Sequence, residues 1–126
     1  MSDGRPEVAI GHVRLHCGDL KHAEEFYTAL GMRPCMAWDG VSILELRGGT
    51  HLLLIQSPDA MMEILDPVFD LMVDDIKAFR EGLMARGLKP SEISFHEIAQ
   101  HHRCFVTDPD GRRIAIHSDH TEGRTV

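Results

Sequence analysis

Imidazole and guanidinium side chains recur at two-residue spacing in this chain. His12, Arg14 and His16 occupy alternate positions, and so do His101, Arg103 and Phe105; His51, Asp70 and His117 stand in short apolar runs elsewhere. Alternate residues of a strand share one face of a sheet, so each triplet reads as a row of polar groups on one side. A neutral imidazole in such a row can act as a general base near neutral pH or bind a metal. An arginine can clamp a carboxylate or phosphate through two parallel N–H bonds. Trp38 offers a flat wall for a planar ligand, and equally reads as hairpin packing. Among the nine histidines, His22, His96, His102 and His120 read as surface or hydrogen-bonded residues.

The elements that must position these groups occur twice. Leu15-His16-Cys17-Gly18-Asp19-Leu20 runs into a helix closed by Gly31-Met32-Arg33-Pro34. Leu71-Met72-Val73-Asp74-Asp75-Ile76 runs into one closed by Gly87-Leu88-Lys89-Pro90. Asp19 recurs as Asp75, Gly31 as Gly87 and Pro34 as Pro90, a constant offset of 56. A repeat of this length implies two similar structural modules, with any pocket where modules meet. In the first, Val8–Cys17 reads as a strand and Asp19 as a helix cap. Ala23, Phe26, Tyr27 and Leu30 form one apolar stripe, and strands follow near 33–38, 41–46 and 51–56. Asp39-Gly40 marks the tight hairpin between the first two of these. In the second, 68–73 is a strand and Ile76, Phe79, Leu83 and Met84 are the helix stripe. Strands follow near 92–97, 102–107 and 113–117. Asp108-Pro109-Asp110-Gly111 is a turn in which proline fixes φ and glycine accepts φ > 0. The modules span about 8–56 and 66–118 within a single domain, with a linker over 57–65.

Composition narrows the function classes. A length of 126 residues suffices for one core, not two. No apolar run is long enough to span a membrane. The formal charge of −7 argues against a nucleic-acid backbone as partner. The opening residues lack the basic-then-apolar pattern of a secretory signal, so the expected location is the cytoplasm. Cys17, Cys35 and Cys104 show no Cys-x-x-Cys pattern and read as small buried hydrophobes in a reducing compartment. Met36, Met61, Met62 and Met72 read as core filling or as an adaptable pocket lining. Glu24 and Glu25 read as a solvated helix face, and Asp74-Asp75 as a helix-start device. Gly48-Gly49 and Gly111 are isolated turns, not a phosphate-cradling loop, and Ser57-Pro58-Asp59 is a loop, not a nucleophile elbow.

Gly18-Asp19-Leu20 at the first helix start, Phe26-Tyr27 and Leu30-Gly31-Met32 at its end, and Asp108-Pro109-Asp110-Gly111 before the last strand resemble the vicinal oxygen chelate superfamily. That group includes glyoxalase I, fosfomycin and bleomycin resistance proteins and extradiol dioxygenases. The resemblance runs from about residue 8 to 118. It implies an α+β fold of two tandem βαβββ modules forming curved half-barrels, completed as a homodimer with two equivalent pockets.

The resemblance also implies four inner strand positions for metal ligands, two per module. His12 matches the first, but the others fall at Leu53, Val68 and Ala115, whose side chains cannot bind a metal. From these positions, strand alternation places Arg14 and His16 with His12, His51 with Leu53, Asp70 with Val68 and His117 with Ala115. It places His101, Arg103 and Phe105 inward. The candidate ligand-binding residues are therefore His12, Arg14, Trp38, His51, Asp70, His101, Arg103, Phe105 and His117, with His12 and His117 as candidate catalytic groups. The expected function is a small-molecule-binding protein of the glyoxalase and bleomycin-resistance type without the standard metal centre and with no cofactor. The alternative is an atypical lyase, isomerase or dioxygenase-type enzyme, metal-free or holding a divalent ion through His12, Asp70 and His117, with His51 as a further ligand.

Overall fold

The computed structural model describes residues 3–57, 66–98 and 100–118. Met61, Met62, the bulk of the linker and His120 lie outside the described residues. The element order is β1 (His12–Cys17), α1 (Leu20–Leu30), β2 (Arg33–Trp38), β3 (Val41–Glu45), β4 (His51–Gln56), β5 (Asp70–Val73), α2 (Ile76–Ala85), β6 (Ser94–His96), β7 (His101–Thr107) and β8 (Arg113–Ser118). A single 3₁₀ turn, Arg47–Gly49, joins β3 to β4.

The duplication holds at the level of geometry. Asp19 (φ −130°, ψ 101°) accepts from the backbone N–H of His22 at 3.1 Å, and Asp75 (φ −132°, ψ 95°) accepts from that of Ala78 at 3.0 Å. Each carboxylate satisfies one of the orphan donors of a helix start. Gly31 closes α1 at φ +124°, and Gly87 follows the end of α2 at φ +87°, a region that disfavours side chains. The two sheets run β1-β4-β3-β2 and β5-β8-β7-β6. The outer strand of each, β1 or β5, pairs in parallel with the last strand of its own module, and the remaining pairs are antiparallel.

Alternation divides each sheet into a helix-covered face and an open one. Leu15, Cys17, Ser42, Leu44, Leu52 and Leu54 are buried with Ala23, Tyr27 and Leu30 of α1. Cys104, Val106, Ile114 and Ile116 are buried with Ile76 and Leu83 of α2, and the two groups form one continuous cluster. The register sends His12, Arg14 and His16 to the opposite side from Leu15 and Cys17.

Several expectations need correction. The first strand starts at His12, not Val8: Val8 and Ile10 are 85% and 67% exposed, because β4 begins only at His51, and the Ile10 carbonyl accepts from the Thr50 hydroxyl at 2.7 Å in place of a ladder N–H. β5 begins at Asp70, with Val68 making a single ladder bond to the Arg113 carbonyl at 2.9 Å. Met84 is exposed, since Leu83 already fills the last inward position of α2. Cys17 and Cys104 are buried but Cys35 is exposed. Glu24 is half-buried rather than fully solvated; it accepts from the hydroxyl of buried Ser42 at 2.7 Å.

Asp108-Pro109-Asp110-Gly111 is more than a turn. It ties the modules together. The Asp108 carboxylate accepts from the Tyr27 hydroxyl at 2.7 Å, from Arg112 Nη1 at 3.0 Å and from the backbone N–H groups of Asp110 and Arg112 at 2.9 Å each. The Arg112 side chain is 2% exposed and also donates to the His16 carbonyl. Asp110 accepts from the Gly18 backbone at 3.0 Å. A buried charge pair stands only where its remaining donors and acceptors are met, and here they are met from both modules.

Candidate functional site

The open face of the first sheet is built in cross-strand rows. One runs Arg33–Glu45–His51–His12, the next Met36–Ile43–Leu53–Arg14, and the third Trp38–Val41–Ile55–His16. The rings of His12 and His51 lie 5.9 Å apart. His51 Nε2 stands 3.3 Å from Glu45 Oε2, while Glu45 Oε1 pairs with Arg33. Arg33 holds the Glu45 carboxyl below its ordinary range. His12 and Arg14 are exposed, and His16 is half-buried. Trp38 is 56% exposed at the far edge of the row from His16, lining a cleft of about 470 Å³ with Glu24, Asp39 and Gln56. It therefore does not pack into the core.

On the second sheet the open face holds Met72–His117–Arg103–Ser94 in one row and Asp70–Ala115–Phe105 in the next. The rings of His101 and His117 lie 4.6 Å apart, and His101 Nδ1 is 2.8 Å from the Ser118 carbonyl oxygen. Arg113 and Arg103 approach the Phe105 ring at 4.1 Å and 5.1 Å from its centre, cation–π contacts that hold both guanidinium groups over the face. His117 Nε2 is buried with no hydrogen-bond partner among the described residues; Asp70 Oδ2, at 3.9 Å, is beyond bonding distance. Burial pushes the His117 pKa below its ordinary value and outweighs the opposing pull of Asp70, so the neutral base is the favoured form.

The expected residues thus fall into two groups. His12, Arg14 and His51 share the open face of the first sheet, and Asp70, His101, Arg103, Phe105 and His117 that of the second. The set His12, Asp70 and His117 does not sit on one sheet: only Asp70 and His117 are neighbours. A cleft of about 750 Å³ lies elsewhere, between the end of α1, α2 and β5, lined by Leu30, Met32, Arg47, Asp74 and Phe79. It contains none of the histidines, and the polar open faces have the better claim to chemistry.

The four positions at which the resemblance implies metal ligands do not fit an ion. Leu53 stands opposite Arg14 and Ala115 opposite Asp70, equivalent register positions in the two modules, and Ala115 is fully buried. Their hydrocarbon side chains offer no lone pair, nor does that of Val68, and His12 by itself is one ligand where about three are needed.

One grouping escaped the sequence reading. Cys35, Glu45 and His51 place a sulfur, a carboxylate oxygen and an imidazole nitrogen within 4.8 Å of one another, the cluster of three such groups found among the described residues. An uninterrupted hairpin from Asp39-Gly40 would set Cys35 opposite buried Leu44. Instead the register shifts between Pro34 and Met36, and Pro34 takes that place. Proline has no N–H for the ladder and tolerates edge strands and bulges, which is the signal that was available.

The glyoxalase/bleomycin resistance protein/dioxygenase superfamily model matches residues 9–116. Among curated proteins none matches the chain in sequence. Among solved structures the fold is similar to lactoylglutathione lyase from Agrobacterium tumefaciens, at 18% identity and a TM-score of 0.73 over 95% of this chain and 100% of that one. It is similar to a glyoxalase/bleomycin resistance protein/dioxygenase from Alicyclobacillus acidocaldarius, at 20% identity and a TM-score of 0.72 over 94% and 96%. It is also similar to a bleomycin-binding protein complexed with bleomycin, at 21% identity and a TM-score of 0.68 over 90% and 99%. With its two βαβββ modules and a family match across 9–116, the chain belongs to the glyoxalase/bleomycin resistance protein/dioxygenase superfamily.

Proposed function

We propose that this chain is a cytoplasmic, homodimeric small-molecule-binding protein that works without the superfamily's standard metal centre. The observation that carries the reading is chemical: Leu53, Val68 and Ala115 stand where chelating side chains are implied, while the surrounding open faces remain polar. Arg14 on one face and Arg103 on the other suit a ligand with a carboxylate or phosphate group. Phe105, Met36 and Trp38 supply apolar surface for its body. The homodimer is what the superfamily resemblance implies. A bleomycin-binding relative of the same fold shows that such a scaffold can hold a ligand.

The test is a thermal-shift and calorimetric screen of small carboxylates and phosphate monoesters, with and without chelator, on wild type, Arg14→Ala, Arg103→Ala and His12→Ala. The expected result is binding that survives chelator and weakens at least tenfold in one or both arginine variants. Binding that needs a metal lost from His12→Ala would overturn the reading.

His117 favours a second reading, metal-free acid–base catalysis. Its imidazole favours the neutral form and stands 3.9 Å from the Asp70 carboxylate, and an enolisable substrate that displaces the cover over its buried Nε2 would meet a general base there. Exchange of substrate C–H protons abolished by His117→Ala would establish it.

A further inference from the structure

The Cys35, Glu45 and His51 grouping belongs to neither the implied ligand positions nor the arginine-lined faces. It comes from β2, β3 and β4, three neighbouring strands of one sheet, so its three side chains are anchored to a hydrogen-bonded framework rather than to loops. The bulge is what supplies the sulfur. It inserts Cys35 as an extra residue between Arg33, paired with Glu45, and Met36, paired with Ile43, and so frees it from the helix-covered row of Leu44.

We propose that Cys35, Glu45 and His51 form a binding site for a divalent transition metal of zinc's class on the open face of the first sheet. The donor set is one thiolate, one imidazole and one carboxylate. Thiolate sulfur disfavours magnesium and calcium, and the mixed sulfur, nitrogen and oxygen set suits zinc. Bond lengths of about 2.0–2.3 Å place tetrahedral ligands roughly 3.3–3.8 Å apart. The atoms here lie within 4.8 Å, and His51 Nε2 is already 3.3 Å from Glu45 Oε2, so exposed Cys35 has the main adjustment to make. Glu45 divides its oxygens: Oε1 faces Arg33 and Oε2 faces His51. The Arg33 side chain is 79% exposed, and such a surface ion pair is weak enough to yield to a metal. Three protein ligands leave a fourth position for water or a ligand oxygen, on the same row as His12. This proposal goes beyond the function proposed above and does not rest on it.

The test uses the reduced, chelator-treated full chain, titrated with Zn²⁺ by calorimetry and with Co²⁺ by absorption. Wild type is expected to bind one equivalent and to show a thiolate-to-cobalt charge-transfer band. Cys35→Ser should lose the band, His51→Ala should weaken binding at least tenfold, and His12→Ala should keep both. Arg33→Ala should tighten binding by removing the competing cation, an effect that a merely structural role would not produce. Circular dichroism checks that each variant is folded. Failure of the wild type to bind, or binding unchanged in both Cys35→Ser and His51→Ala, overturns the proposal. So does binding lost in His12→Ala and kept in Cys35→Ser, which would also overturn the absence of the standard centre. Zinc bound at Cys35 with no carboxylate or phosphate bound anywhere would leave this site standing and remove the ligand reading.

Discussion

The hydroxyl of Tyr27, in the first module, donates to the carboxylate of Asp108, in the second, at 2.7 Å across 81 positions of sequence. Both groups are buried, and Arg112 completes the trio with its side chain 2% exposed. Tyr27→Phe is expected to cost about 1.5–3 kcal/mol, the range for a hydrogen bond to a charged group. Asp108→Ala strands a buried guanidinium and is expected to cost about 3–5 kcal/mol. Urea unfolding of both variants and of the double variant measures this. Additive losses would mean that the trio does not act as a unit.

The two helix caps give a matched pair. Asp19→Ala and Asp75→Ala should each cost about 1 kcal/mol, because each removes one acceptor from the same backbone geometry. Denaturant midpoints report the loss. A difference larger than the uncertainty would show that the repeat is not energetic as well as geometric.

His117 predicts a pH dependence. Its pKa in the folded chain lies below the ordinary imidazole value of 6.5, chiefly through burial. The unfolded chain therefore takes up this proton first as the pH falls. The contribution to stability is complete above about pH 6.5 and is lost as the pH drops from there through the lower folded value. Asp70 is the neighbour that pulls the pKa upward, against His101, Arg103 and His96, so Asp70→Asn should lower it further. Titration of the His117 ring by NMR in both proteins decides the matter, and a pKa that rises in the variant would contradict it.

The thiols should separate cleanly. Cys35 is exposed, whereas burial raises the pKa of Cys104 and pushes that of Cys17 up to about 11. Alkylation of the native protein near neutral pH should therefore add one label, at Cys35, and unfolding should release the other two. Peptide mass mapping reads this directly. Early labelling of Cys17 would refute the burial argument.

Local pattern and repetition carry much of this architecture. The helix caps at Asp19 and Asp75, the stripes from Ala23 to Leu30 and from Ile76 to Leu83, and the order of strands follow from period and turn chemistry, which act over a few residues. The strands place His12 and Arg14 opposite Leu15, and His101 and Arg103 opposite Cys104. Other features arise only when distant segments meet. A one-residue register shift after Pro34 moved Cys35 from an expected core position to the side of Glu45 and His51, and no periodicity encodes a bulge. From sequence Asp108 belongs to a turn, and Arg112 stands just beyond it. Only the approach of Tyr27 and the His16 carbonyl from the other module makes them a buried junction, because burial of charge is a property of what surrounds it.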